Sequence, residues 1–93
     1  MRIQQIDNEN KGEFFFEVDG NKLGLMTYSH AGSGKIIIDH TEVDESLKGQ
    51  GVGYKLIEAA VEYAITNDLK IMPLCPFVNA VFKKRSEYND VRF

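Results

Sequence analysis

The apolar positions of the chain change period halfway along. Residues 13–18 (Glu-Phe-Phe-Phe-Glu-Val) are strand formers, and Asp19-Gly20-Asn21 supplies a hairpin turn. Residues 22–30 read as the returning strand, and Ala31-Gly32-Ser33-Gly34 is the next turn. Lys35–Val43 follows as a third strand, and its Ile36-Ile37-Ile38 run, apolar on both faces, predicts an interior position in a sheet. Residues 3–8 form a weaker opening strand. From Gly53 the spacing becomes helical: Gly53, Leu56, Ile57, Ala60, Val61 and Ala64 make one stripe, and Lys55, Glu58, Glu62 and Thr66 lie opposite. Asn67-Asp68 ends that helix. Leu69-Lys70-Ile71-Met72 is too short for another and reads as a strand stopped by Pro73. Pro76 suits the first position of a second helix, with Phe77, Val78, Val81 and Phe82 toward the core. A strand meander followed by helix, strand and helix predicts an α+β or mixed α/β domain with one crossover helix.

Length and composition narrow the function. Ninety-three residues without repeats or linkers predict a single domain over residues 1–93. A net charge of −3 disfavours a nucleic-acid partner, which needs a basic excess to neutralise phosphates. Cys75 is the only cysteine, so an intramolecular disulfide and a cysteine-based zinc site are excluded, and no metal is expected. No apolar run approaches the ~18 residues of a membrane span, and Met1-Arg2-Ile3-Gln4-Gln5 is no signal segment. The expectation is a cytoplasmic protein without a membrane partner, as a monomer or homodimer.

The chemistry concentrates at Gly49, Gly51 and Gly53, between a buried strand and a helix. Residues without side chains let a ligand approach the backbone, and the helix opening adds partial positive charge, so the loop predicts an anion cradle. A nucleotide P-loop requires Gly-Lys-Ser/Thr after its glycine run, which Gly53-Tyr54-Lys55-Leu56 lacks. A dinucleotide fingerprint requires a third glycine one place later than Gly53, and an acid after the next strand, where Pro73-Leu74-Cys75 stands.

The remaining spacing, Lys48-Gly49-Gln50-Gly51-Val52-Gly53 opening a helix, resembles the coenzyme A motif of the GNAT superfamily. That motif has Gln or Arg, two variable residues, Gly, one variable residue, then Gly or Ala. Lys48 departs from it, keeping the charge but losing the planar fork. Thr41-Glu42-Val43-Asp44-Glu45-Ser46-Leu47 matches the family's strand end and connector. His40-Thr41-Glu42-Val43, Pro73-Leu74-Cys75-Pro76-Phe77-Val78 and Ser86-Glu87-Tyr88 resemble the family's minimal-length branch.

The resemblance implies a GNAT-like fold with a splayed mixed sheet, and an acetyl-CoA-dependent N-acetyltransferase acting on an amine acceptor of unknown identity, with a protein amine as one candidate. The backbone at Val43 would meet the pantetheine, and the amides from Gln50 to Tyr54 the pyrophosphate. Asn79 would touch the pantetheine. Lys48 or the Lys83-Lys84-Arg85 run would contact the remaining phosphate. Base candidates are His40 and Glu42, which alternate onto one strand face, against the alternatives of a hydrogen-bonded structural histidine and a surface carboxylate. Cys75, as N-cap of the second helix, is an acceptor nucleophile, an acid for the leaving thiolate, or a small buried residue. Tyr88 is either the acid or a packing residue. The alternative is a non-catalytic acyl-CoA sensor, because almost nothing precedes the first strands to wall an acceptor site.

Overall fold

The computed structural model describes residues 2–93. Five strands form one sheet in sequence order: β1 (Gln4–Asp7), β2 (Lys11–Val18), β3 (Asn21–His30), β4 (Lys35–Val43) and β5 (Lys70–Pro73). The first four pair antiparallel through short turns, and β5 joins β4 in parallel. A parallel neighbour needs a crossover, which α1 (Val52–Thr66) provides; α2 (Pro76–Lys84) follows β5. The opening strand is present and paired, from Gln4↔Phe15 to Asp7↔Gly12.

Both helices cover the same face. The fully buried stripe of α1 (Leu56, Ile57, Ala60 and Ala64) meets Phe14, Met26, Tyr28, Ile36, Ile38 and Ile71, and Val78, Val81 and Phe82 of α2 complete the cluster. Burying a side chain such as Leu56 or Ile57 contributes about 1.5–3 kcal/mol, so this stripe anchors the crossover. At Gly24 of β3 an added Cβ would stand 2.8 Å from Val52 Cγ1, so the bare backbone there lets the start of α1 sit close on the sheet. Leu25, Ile37 and Met72 line the other face, half-buried, with no helix over them. The smallest dimension, 20 Å, is that of a sheet and one helical layer.

One expectation changes. Phe77 is 38 % exposed and does not join the core side of α2. Beyond the predicted elements, the C-terminal residues run beside β5: the Ile71 amide donates to the Val91 carbonyl at 2.6 Å, and the Phe93 amide to the Ile71 carbonyl at 2.8 Å. Among the described residues, no helix is long and apolar enough to cross a membrane.

Candidate active site at the splayed strands

Parallel pairing runs from Lys35↔Lys70 to Ile38↔Pro73 and then stops. The Leu74 and Cys75 amides both turn onto the Ile38 carbonyl, at 3.0 and 3.1 Å, and the chain leaves the sheet into α2. β4 continues to Val43 with β3 alone beside it. The separation is built into β4, where Thr27 faces His40 and Tyr28 faces Ile38, leaving Asp39 as the extra residue of a bulge. A bulge bends the strand and increases its twist. The Thr27 hydroxyl holds the extra residue by donating to Asp39 Oδ1 at 2.5 Å.

The bulge also resets which side chains face where. By plain alternation His40 and Glu42 would follow Ile36 and Ile38 beneath the helices. Instead Thr41 and Val43 pair with Met26 and Gly24 on the helix face, and His40 and Glu42 pair with Thr27 and Leu25 on the open face. His40 and Glu42 do share one face. Their Nε2 and Oε2 atoms are 3.3 Å apart and both side chains are exposed. The Asp44 amide donates to the Leu23 carbonyl of β3 at 2.7 Å. Successive amides of a strand point to opposite sides, so the Val43 N–H faces the gap.

After β4, Asp44 caps one turn of 3-10 helix (Glu45–Leu47), accepting from the Ser46 amide at 3.0 Å and its hydroxyl at 2.5 Å. The Ser46 hydroxyl, with the amide behind it, holds the Asp44 carboxyl below its usual range. Gly49 and Gly51 have φ of +83° and +73°, a region that side chains strain, and nothing stands within 4 Å of where their Cβ atoms would be. The first helical bond runs from the Lys55 amide to the Gly51 carbonyl at 3.1 Å, so the Val52, Gly53 and Tyr54 amides precede the ladder. No side chain caps this end and no acid lies in its first turn. Open space over left-handed glycines, unspent donors and absent negative charge fit a pyrophosphate.

The members of the loop divide their work. Lys48 and Gln50 are exposed, and Val52 puts its side chain into the core while its amide stays at the helix opening. Gly53 serves packing: a Cβ there would lie 2.8 Å from the Phe77 ring. That contact, with Tyr54 edge-on to Phe77 at 5.7 Å, explains why Phe77 lies over the first turn of α1.

Cys75 is the N-cap of α2, is 7 % exposed, and donates its thiol to Thr41 Oγ1 at 3.5 Å. Burial pushes the thiol up, but the Thr41 hydroxyl and the nearby Val78, Phe77 and Thr41 amides, which can donate to a thiolate, outweigh it, and its pKa falls below the ordinary value. Cys75 therefore stands on the helix side of the gap, with His40 and Glu42 on the open side. Asn79 accepts from Arg92 Nη2 through its Oδ1 at 3.1 Å, beside the C-terminal segment. Tyr88 is buried with its ring 5.3 Å from Phe82 and its hydroxyl accepting from Arg85 Nη1 at 2.9 Å. The sequence reading overlooked Thr41, because alternation without the bulge assigns it to the face away from the core.

The sequence model of the GCN5-related N-acetyl-transferases matches residues 13–91, a span that holds both the splayed strands and the glycine turn. The chain belongs to this family. Human protein NATD1 is 27 % identical over 83 residues, covering 88 % of this chain and 74 % of its own. The solution structure of a GCN5-like protein from Staphylococcus aureus is 40 % identical, with a TM-score of 0.75 over 97 % of this chain and 87 % of that one. A GNAT family acetyltransferase from Elizabethkingia anophelis, solved with acetyl-CoA bound, shares the fold at 15 % identity, with a TM-score of 0.60 over 69 % of this chain and 42 % of that one. Family membership assigns the chain to acyl transfer in general. The fold is the family's mixed sheet with a crossover helix.

Proposed function

We propose that the protein transfers an acetyl group from acetyl-CoA to an amine, and that the acceptor is carried on a bulky molecule such as a protein. The observation that carries this reading is the unpaired edge of β4 leading into the uncapped amides of Val52, Gly53 and Tyr54. The acetyl-CoA bound to the Elizabethkingia relative supports the choice of ligand. Acetyl-CoA, when bound, supplies a thioester open to attack by an amine. The amides from Gly51 to Tyr54 hold the pyrophosphate; the Gln50 amide, expected to join them, instead donates to the Leu47 carbonyl at 3.1 Å and closes the 3-10 turn, and Lys48 is close enough in the chain to add charge. The Val43 N–H, facing the gap, donates to a carbonyl oxygen there. Asn79, one turn into α2, accepts from Arg92 and would have to leave it to touch the pantetheine.

An amine must lose a proton to attack, and His40 with Glu42 accepts it on the open face. The Cys75 thiol, its acidity raised by Thr41, holds the proton for the opposite side of the gap. Only residues 8–10 link β1 and β2, and among the described residues no helix covers the open face, which suits an acceptor too large for a closed pocket. The same openness favours a second reading, a module that binds acyl-CoA without turning it over.

Calorimetry separates these outcomes. Acetyl-CoA is expected to bind in the micromolar range, and Gly51→Glu, which puts a side chain and a negative charge into the cradle, abolishes binding. With an amine panel, His40→Ala and Cys75→Ala retain binding and lose about 10²-fold or more in turnover. Equal, slow acetyl loss in both variants and the wild type overturns the catalytic reading and leaves the binding module. A folded wild type that ignores acetyl-CoA overturns both.

A further inference from the structure

Three cations close α2, and the structure treats one of them differently. Lys83 and Lys84 are exposed in the last helical turn, where they complement the negative end of the helix. Arg85 leaves the helix in extended backbone (φ −111°, ψ 95°) and turns back toward α1. Its guanidinium lies 5.0 Å from the centroid of the Tyr54 ring and 5.7 Å from that of Tyr88. Nη1 donates to the Tyr88 hydroxyl at 2.9 Å and stands 3.9 Å from Glu58 Oε2. Among the described residues, no acceptor meets Nη2 or Nε. The side chain is about one-third exposed (34 %), so those donors reach solvent from a fixed fork.

Tyr54 connects this fork to the glycine turn. Its amide belongs to the open first turn of α1, and its ring lies under the guanidinium. Glu58 does not cancel the charge, because Lys55 shares it at 3.5 Å: two cations face one carboxylate. A planar guanidinium held against an aromatic face suits a phosphate monoester better than a mobile ammonium does, since it donates two parallel hydrogen bonds without first being ordered.

We infer that Arg85 reads the 3′-phosphate on the adenosine end of coenzyme A, and so makes the protein select coenzyme A over its 3′-dephospho form. This rests on the acetyl-CoA reading above: a pyrophosphate on the Gly51–Tyr54 amides leaves Arg85 as the next oriented cation along α1. Tyr54 and Phe77, 40 % and 38 % exposed, border the same path with aromatic surface.

The test is calorimetric titration of coenzyme A and 3′-dephospho-coenzyme A into the full chain. Wild type is expected to bind coenzyme A at least ~10-fold more tightly, the scale of a charge-assisted pair, with the ratio shrinking as salt rises. Arg85→Gln brings the two ligands to within about twofold of each other. Lys11→Gln, which removes a charge at the far end of the sheet, leaves the wild-type ratio. Equal binding of both ligands by wild type overturns the inference without any variant, so a folding defect in Arg85→Gln cannot shield it. A ratio that survives in a folded Arg85→Gln also overturns it, while the acetyl-CoA reading stands. Failure of both ligands to bind wild type overturns the two together.

Discussion

The Asp7 carboxylate shows how much one residue can organise away from the site. At the end of the sheet remote from the glycine turn, Asp7 Oδ2 accepts from the Tyr28 hydroxyl at 2.5 Å, pairs with His30 Nε2 at 2.7 Å and accepts from the Tyr63 hydroxyl at 3.4 Å. Oδ1 accepts from the Glu9 amide at 2.9 Å. The Tyr28 hydrogen bond dominates over the opposing effect of burial, and with the Glu9 amide and His30 it lowers the Asp7 pKa to about 2. Burial first, then the Asp7 charge, pushes the Tyr28 phenol above its ordinary range. A carboxyl depressed in the folded state stabilises it fully above its unfolded pKa of about 4, and this contribution is lost as pH falls through about 2. Asp7→Asn is therefore expected to cost about 1–2 kcal/mol at neutral pH, allowing for solvent screening of a partly exposed group. In urea unfolding measured against pH, the difference from wild type closes between about pH 4 and pH 2. A difference that stays constant over that range would show that the charge contributes nothing.

At the scale of elements, β4 carries two environments in one strand. Its first half lies between β3 and β5, with Ile36 and Ile38 fully buried. Its second half, bent at Asp39, has a free edge that ends at the Val43 amide. Local stability follows this division, because an amide outside a ladder exchanges without any opening of the core. In hydrogen exchange, the Val43, Val52 and Gly53 amides are expected to exchange fast in the free protein and to gain at least ~10-fold protection with acetyl-CoA. Ile36 and Ile38 are protected in both states. No added protection at Val43 would remove that residue from the proposed binding path. The same strand explains how the candidate residues divide, with Thr41 and Cys75 below the sheet and His40 and Glu42 above it.

Over the whole molecule, one sheet face is covered and the other is open, and the last residues of the chain secure the covered half. Val91 is 6 % exposed, its carbonyl takes the Ile71 amide, and the Phe93 amide returns to the Ile71 carbonyl. Lys35 Nζ lies 3.7 Å from the Phe93 ring centroid, tying this segment to the start of β4. Burial of one valine, two backbone hydrogen bonds and a cation–π contact exceed the cost of ordering three residues by only on the order of 1 kcal/mol. Removing residues 91–93 should lower the thermal midpoint by about 4–8 °C for a domain of this size. A midpoint within about 3 °C of wild type would mean that β5 holds its edge unaided.

The sequence by itself determined the elements and the glycine turn that opens α1. Apolar period distinguishes strands from helices locally, and Gly49 and Gly51 are where a left-handed turn before α1 needs them. The helical stripe from Leu56 to Ala64 and the position of Pro76 at the start of α2 were likewise legible, since each depends on neighbours within a turn or two. Only the tertiary structure decided which face each catalytic candidate occupies. A one-residue bulge opposite Thr27 moves His40 and Glu42 to the open face and brings Thr41 to Cys75, and no local pattern in β4 marks Asp39 as the extra residue. The same holds for Phe77 over Gly53, Arg85 over Tyr54 and the donors gathered on Asp7. These contacts join residues far apart in the chain. Their partners are set by the close packing of α1 against both the sheet and α2, which periodicity does not encode.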